Sequence, residues 1–583
     1  MQHYLLHDAV MYIDVVPNRS SPPAVLLRES VREGARTRKR TLANLSSLTS
    51  ARVEALRAVL RGDTLVAPAD AFDKIADHQH GACEAVRVAM RRLGFYALLY
   101  ARRSRERDLV VAMVAARILR PGSKLATSRT WSRYTLCAEL GVEGAGEKEL
   151  YAAMDWLLER QPRIEKKLAA RHLKGGSLAL YDLSSSYFEG ETCPLAKLGH
   201  SRDGRPGTLQ VNYGLLTDAH GVPVSISVFP GNTADSTTVA PQLEKLRGDF
   251  GLQDVVLVGD RGMISQKQID AMKGRGGVAW ITALRTEKIR QLVDAGSLQL
   301  GLFDERNLFE LAHDDYPGER LVACRNPELA RRRAHKREAL LAATETELAK
   351  VQRSVEKRRL AGAAKIGVRV GKVVGKYKVQ KHFQLAIADD AFSYSRDERR
   401  IREEAALDGI YVVRTSLPEK LASAADAVRS YKKLSRVERA FRTIKTDDLA
   451  VRPIHHRLEG RVRAHIFLCM LAYYVERHMR DALAPMLFAD EMSDEQKDRR
   501  DPVNPAQRSP AALRKAGTKR LEDGSAAHSF RSLLDELALV VRSTCRPRGA
   551  PATAPTFDVV TSLNPMQARA LDLLAKVPTY PVR

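Results

Sequence analysis

Cysteine is scarce, with six residues in 583. Cys83, Cys137, Cys193, Cys324, Cys469 and Cys545 stand far apart, and no pair has CxxC spacing. That excludes a zinc ribbon and a dithiol redox motif, and it suits buried thiols in a reduced compartment. No apolar run approaches the roughly 18 residues of a membrane span. The start, MQHYLLHDAVMYIDVV, lacks a basic leader and a cleavage site, so a soluble, non-exported chain is expected. There are only three tryptophans, and Trp131 and Trp156 read as core residues rather than base-stacking platforms.

Acidic residues are outnumbered. Lys and Arg total 95 against 70 Asp and Glu, a net charge of +25. Such a field attracts polyanions, of which nucleic acid is the commonest. A hydrophobic fraction of 44% excludes a disordered chain and supplies real cores. The length implies several domains, or one large domain with insertions.

The chain begins with strand character in a mostly helical region. Val31 to Arg40, VREGARTRKR, is a basic arm or an exposed linker. Helices are expected over Ala51–Arg61, Asp108–Leu119 and Lys148–Leu173. After Gly175-Gly176 the period changes, and Ser177 to Phe188, SLALYDLSSSYF, alternates like a strand. Asp182 interrupts it, although aspartate is disfavoured in mid-strand and hard to bury. It belongs at a cleft, or in a structural salt bridge. Gln210–Thr217 and Val222–Phe229 flank the turn Asp218 to Gly221, a β-hairpin signal. Asp254 to Val258 is a continuous apolar strand suited to a sheet buried on both faces. Gly259-Asp260-Arg261-Gly262 follows and leaves Asp260 at the carboxyl end of that strand, where open α/β sheets keep their ligand sites.

The stretch from Ala283 to Tyr431 is too long for a plain loop. Leu298–Arg325 reads as mixed β structure, and Pro327–Arg359 as a charged helix with Leu341, Thr344, Leu348, Val351 and Val355 at heptad spacing. Gly362–Phe383, with Lys365, Arg369, Lys372, Lys376, Lys378 and Lys381, reads as a strand pair with one cationic face, suited to phosphate contact or else simply solvated. Ile410–Thr415 is a further strand. Tyr431 to Lys445 reads as one helix with an apolar stripe of Leu434, Val437, Phe441 and Ile444. Tyr431, Glu438, Arg442 and Lys445 share its other face. Arg457–Met479 is an apolar helix with basic edges, on which His465 reads as structural. Residues 490–527 read as a linker.

The order of strand with aspartate, hairpin, helix, strand ending in aspartate, then a later helix with glutamate resembles the ribonuclease-H-like fold. The residues themselves resemble the DDE-class transposases of bacterial insertion sequences, in the branch with a tyrosine, arginine, glutamate and lysine signature on one helix. Tyr431, Glu438 and Lys445 fall on that signature, whereas Leu434 stands at the arginine position. YDLSSSYF and VGDRGMIS resemble the first and second acidic motifs, GHSRDGRPG the segment after the first strand, and VREGARTRKRTLANL the branch's N-terminal region.

The resemblance implies an α/β fold. A ribonuclease-H-like core (175–284 and 406–482) would carry a large insertion (285–405) before the glutamate helix. A mainly helical N-terminal DNA-binding region (1–174) would precede it, and a linker with a helical tail (483–583) would follow. It implies Asp182, Asp260 and Glu438 as catalytic carboxylates holding two Mg²⁺ ions, with Mn²⁺ as a substitute. Tyr431, Arg436, Arg442, Lys445 and Arg261 would contact DNA, with Lys432 a weaker candidate. The expected activity is hydrolytic cleavage at the terminal inverted repeats and joining of the 3′-hydroxyl ends to target DNA. The expected setting is a homodimeric synaptic complex on double-stranded DNA, in a bacterial cytoplasm at the nucleoid. Competing readings are a nuclease of the same fold without transposition, a non-catalytic DNA-binding remnant, and an RNA-binding scaffold.

Overall fold

The computed structural model describes residues 10–33, 36–63, 65, 71–299, 307–446, 448–492, 496, 501–503 and 507–580. Parts of three expected segments lie outside these residues: 34–35 of the basic stretch Val31–Arg40, 300–306 of Leu298–Arg325, and much of 490–506. The chain divides into two units. One holds residues up to Asp77 together with Arg542–Val560, and the other holds His78–Val541 and Thr561 onward.

In the first unit, strands Val10–Val16, Ala24–Glu33 and Arg36–Asn44 form an antiparallel sheet, followed by helix Ser50–Leu60. Strand Val541–Pro547 lies between Phe72–Gln79 and Phe557–Val560 in a second small sheet. Apart from helix Ser50–Leu60, which matches the expected Ala51–Arg61, the described residues before Gly81 are mainly strands, and the run of helices sets in from Gly81. Arg36, Arg38, Lys39 and Arg40 are exposed on the edge strand.

The second unit begins with helices that pack around α1 (Arg105–Leu119) and α2 (Glu147–His172). Ser104 caps α1, its hydroxyl accepting from the Arg107 amide at 3.3 Å. Trp131 is fully buried, and Trp156 is half-buried under Arg160, whose guanidinium lies 4.1 Å from the ring centroid.

The central sheet consists of β1 (Leu178–Tyr187), β2 (Leu209–Thr217), β3 (Pro223–Pro230), β4 (Val255–Gly259), β5 (Val278–Ala283), β6 (Leu308–Leu311), β7 (Arg320–Arg325) and β8 (Ile410–Thr415), plus a two-residue strand at Lys197–Leu198. Across the sheet the order is β3-β2-β1-β4-β5-β8-β7-β6. β1, β4 and β5 run parallel, and β2 and β3 are antiparallel. The first five positions reproduce the ribonuclease-H-like order, three antiparallel strands followed by two parallel ones. The β2–β3 turn is built by Asp218, whose Oδ1 accepts from the His220 and Val222 amides at 2.8 and 2.9 Å. Gly221 completes it at φ +81°.

β4 leads through α3 (Gln266–Lys273) to β5, and the insertion follows β5. The insertion's strands β6 and β7 join the same sheet through β8, which follows the insertion and pairs antiparallel with both β5 and β7. A buried bidentate pair at this seam links Arg414 to Glu319 at 2.6 and 2.7 Å, and Glu319 also accepts from Trp280 Nε1 at 3.1 Å. The rest of the insertion forms its own small core. Here α4 (Pro327–Glu356) packs on α5 (Ala363–Tyr377), with the hairpin Phe383–Ile387/Phe392–Arg396 closing it. The heptad residues of α4 are all buried in this helical hairpin.

Two expectations need correction. Gly362–Phe383 is not a strand pair: α5 buries Ile366, Val370 and Val374 at helical spacing against α4. Tyr431–Lys445 is not one helix. α6 (Ala424–Lys432) ends in a turn at Lys433, and α7 (Leu434–Lys445) starts there. α7 buries Val437, Ala440, Phe441 and Ile444 and packs on β1. Full burial of such a large apolar side chain contributes about 2 kcal/mol. α8 (Glu459–Ala482) is almost wholly buried against α1, α2 and β3, and His465 on it contacts the Val451 carbonyl at 3.1 Å. All six cysteines are buried and free. Among the described residues, no helix is long and apolar enough to cross a membrane.

Candidate active site

Parallel pairing sets Tyr181 of β1 beside Gly259, the last residue of β4. One residue further on come Asp182 and Asp260, where β4 has ended and β1 continues along β2 alone. Asp182 is in mid-strand only toward β2, where it faces Leu215. Toward β4 its edge is open, because that strand has ended. This resolves how an aspartate occupies an otherwise apolar strand. Gly259 is required for the tight exit, since a Cβ there would lie 2.9 Å from Ile264 Cδ1. The turn closes with the Met263 and Ile264 amides on the Asp260 carbonyl.

Glu438 is exposed on α7, the helix packed on β1. Burial pushes the Asp182 carboxyl up to about 7, and the charges of Asp260 and Glu438 add to the effect. The Leu183 amide at 2.8 Å and the Arg202 charge oppose it. The three carboxylates therefore share one electrostatic neighbourhood. Among the described residues, no three acidic, histidine or cysteine side chains are drawn together into a ready-made ion cage. Asp260 and Glu438 are exposed and open to solvent. The donor set, carboxylate oxygens only, fits a hard divalent cation, which would relieve the repulsion that Asp182 experiences.

The other expected residues divide into two groups. Tyr431 donates to Asp260 Oδ1 at 3.3 Å, and burial, then the Asp260 charge, raises its phenol above the ordinary value. Arg261 is exposed beside it, with its charge acting on Tyr431. Arg442 is exposed on α7. Arg436 and Lys445 are engaged with the protein instead. Arg436 packs over Gly221 and donates to the Ala219 carbonyl, holding the β2–β3 turn. Lys445 is buried and ion-paired with Asp203 Oδ1 at 2.9 Å, and burial lowers its ammonium pKa. Lys432 is half-buried and donates to the Val503 carbonyl at 3.3 Å.

Residues of GHSRDGRPG complete the neighbourhood. Asp203, with only 1% of its side chain exposed, also pairs with Arg452 and accepts from the Tyr187 amide at 3.0 Å. Its neighbour Arg202 bonds Asp235 at 2.6 Å, and its amide donates to Ser185 Oγ at 3.0 Å. The segment is thereby stapled to β1, with Arg202 the cation whose charge acts on Asp182. Residue types and spacing alone gave Arg202, Asp203 and Asp235 no such role. Only the position of their segment after the first strand hinted at one.

The family description "Transposase DDE domain" matches residues 192–475, and "IS1634 family transposase, N-terminal domain" matches residues 13–70. The chain belongs to the insertion-sequence DDE transposases. Members of this class catalyse DNA cleavage and strand transfer, bind DNA and use divalent metal ions. The matched catalytic span contains Asp260 and Glu438, while Asp182 lies just before its start. The competing non-transposase readings are not favoured. Among solved structures, the chain is similar to the piggyBac transposase synaptic complex with hairpin DNA. The match has 9% identity and a TM-score of 0.32, and covers 78% of this chain and 84% of that one. A comparison with curated proteins returns no match.

Proposed function

We propose that Asp182, Asp260 and Glu438 are the catalytic carboxylates of this transposase. The observation that carries this reading is the parallel register of Tyr181 with Gly259, which brings the two aspartates out together below the helix that bears Glu438. Asp182, Asp260 and Glu438 are the residues that would hold a pair of Mg²⁺ ions. When bound, such a pair, or Mn²⁺ in its place, supplies charge stabilisation around the attacked phosphate and eases deprotonation of the attacking water or 3′-hydroxyl.

The chain's own residues then have separable tasks. Tyr431 fixes the orientation of Asp260. Arg261 and Arg442, both exposed, engage backbone phosphates of the DNA end. Lys445 and Arg436 support DNA indirectly, by fixing the GHSRDGRPG segment and the β2–β3 turn. The substrate ends are the terminal inverted repeats of the element, and two ends brought together imply a homodimer acting in the bacterial cytoplasm.

The test is Mg²⁺-dependent cleavage of a duplex carrying the element's terminal repeat, by Asp182→Asn, Asp260→Asn and Glu438→Gln. Loss of at least a thousandfold in each, with duplex binding retained, is expected. Metal-dependent cleavage by Asp182→Asn at the parental rate would overturn the assignment.

A further inference from the structure

The acidic site leaves unexplained the outer face of α5, which carries Lys365, Arg369, Lys372 and Lys376 at spacings of four, three and four residues. On a helix these positions lie within one narrow stripe. All four are exposed, opposite the Ile366, Val370 and Val374 side that packs on α4. Among the described residues, Lys365, Arg369 and Lys372 have no acidic partner. The stripe spans about 16 Å of helix axis, or roughly five base pairs of duplex. At its end a groove of about 680 Å³ is lined by further polar and cationic groups: Lys378, Gln380, Lys381 and Arg400. Lys381 pairs with Glu404, while Lys378 faces the groove at φ +57°.

Gly367, Gly371 and Gly375 lie on another face of α5, and only Gly375 adjoins one of the cations, Lys372, at i,i+3 spacing. A Cβ built on any of them meets nothing within 4 Å. All three sit inside a regular helix, so neither internal packing nor backbone conformation requires glycine there. Glycine is nevertheless the poorest helix former after proline. The positive charge of the Lys365, Arg369 and Lys372 row selects an anionic partner.

We infer that this face of α5, with its adjoining groove, binds the phosphodiester backbone of duplex DNA at a surface separate from the three carboxylates. The inference rests on the transposase reading for its choice of DNA. It does not depend on which residues perform the chemistry.

The experiment uses the full-length protein and a fluorescein-labelled mixed-sequence duplex of about 30 base pairs, titrated by anisotropy over a range of salt concentrations. The quadruple variant Lys365→Gln, Arg369→Gln, Lys372→Gln and Lys376→Gln is expected to bind at least tenfold more weakly. Its salt dependence should be shallower by three to four phosphate contacts. Its melting temperature should match the parent's, because all four side chains are exposed. Asp182→Asn, as the control, should bind like the parent. Parental binding by the quadruple variant would overturn the inference, as would tighter binding of a single-stranded RNA of equal length. Cleavage by Asp182→Asn would instead count against the catalytic assignment and leave this surface standing.

Discussion

Tyr431 Oη lies 3.3 Å from Asp260 Oδ1, across 171 residues of sequence, at the point where α6 gives way to α7. The phenol therefore orients a carboxylate, whereas its place on the helix signature suggested a contact to DNA. Tyr431→Phe keeps the ring and removes only this bond. Cleavage at limiting Mg²⁺ should fall about tenfold and recover partly at high Mg²⁺, with unchanged duplex affinity, because groups that orient a metal ligand commonly act at that scale. Weakened DNA binding with unaltered metal dependence would return the tyrosine to the DNA-contact set.

Lys445 and Asp203 form a pair with 9% and 1% of their side chains exposed. Removing one member strands a charge away from water. Lys445→Met should destabilise the protein by about 3 kcal/mol in urea unfolding. Arg452 remains to neutralise Asp203 in part in that variant, whereas Asp203→Asn leaves the buried Lys445 ammonium facing the Arg452 guanidinium and should cost more. The double variant should be less destabilised than the two single changes combined. Strict additivity would show that the pair is not coupled.

The Glu319–Arg414 pair lies at the seam where the insertion's strands join the core. Glu319 has none of its side chain exposed and Arg414 has 7%. Glu319→Ala would leave Arg414 buried with Gln266 as a partner at 3.1 Å and free the Trp280 indole. A loss of about 3–5 kcal/mol is expected, measured by thermal or urea unfolding. A melting temperature within a degree of the parent would show that the seam is held by backbone pairing alone.

His172 and His478 are buried with Tyr474 and Tyr580. Burial lowers them from 6.5 to about 3 and about 4 respectively, and Arg171 lowers both further. Asp218, 4.0 Å from His172, does not reverse this. A histidine that takes up its proton less readily when folded favours unfolding in acid. The stability is complete above about pH 6.5 and declines as pH falls toward the folded values. Urea midpoints should drop between pH 6.5 and pH 4.5, and His478→Gln should flatten the drop. An equally steep decline in His478→Gln would place the acid sensitivity elsewhere.

Much of the core could be read from residue order. Strand periodicity, the Asp218–Gly221 turn and the apolar run ending at Gly259 located both aspartates on their strands, and 3-4-3 spacing located the buried side of α7. What escaped depended on partners remote in the chain. Asp203 meets Lys445 across 242 residues and Tyr431 meets Asp260 across 171, and spacing along the chain carries no record of such pairs. α5 escaped for a local reason. Its valines favour strands and its glycines disfavour helix, and packing on α4 overrides both. Ile366, Val370 and Val374 did carry a four-residue helical period, but the interleaved glycines and lysines obscured it.

β8 has a consequence for synthesis. It re-enters the sheet beside β5 only after the whole insertion, and Glu438 follows it. A ribosome adding about 5–20 residues per second needs on the order of ten seconds or more to travel from Asp260 to Glu438. During that interval the nascent chain carries two of its three carboxylates and exposes the β5 edge. Every truncated product ending before α7 lacks the third. On the proposed assignment, a premature stop or an abandoned translation event before α7 thus yields a polypeptide without the third carboxylate, and the site is complete only after Glu438 has been made.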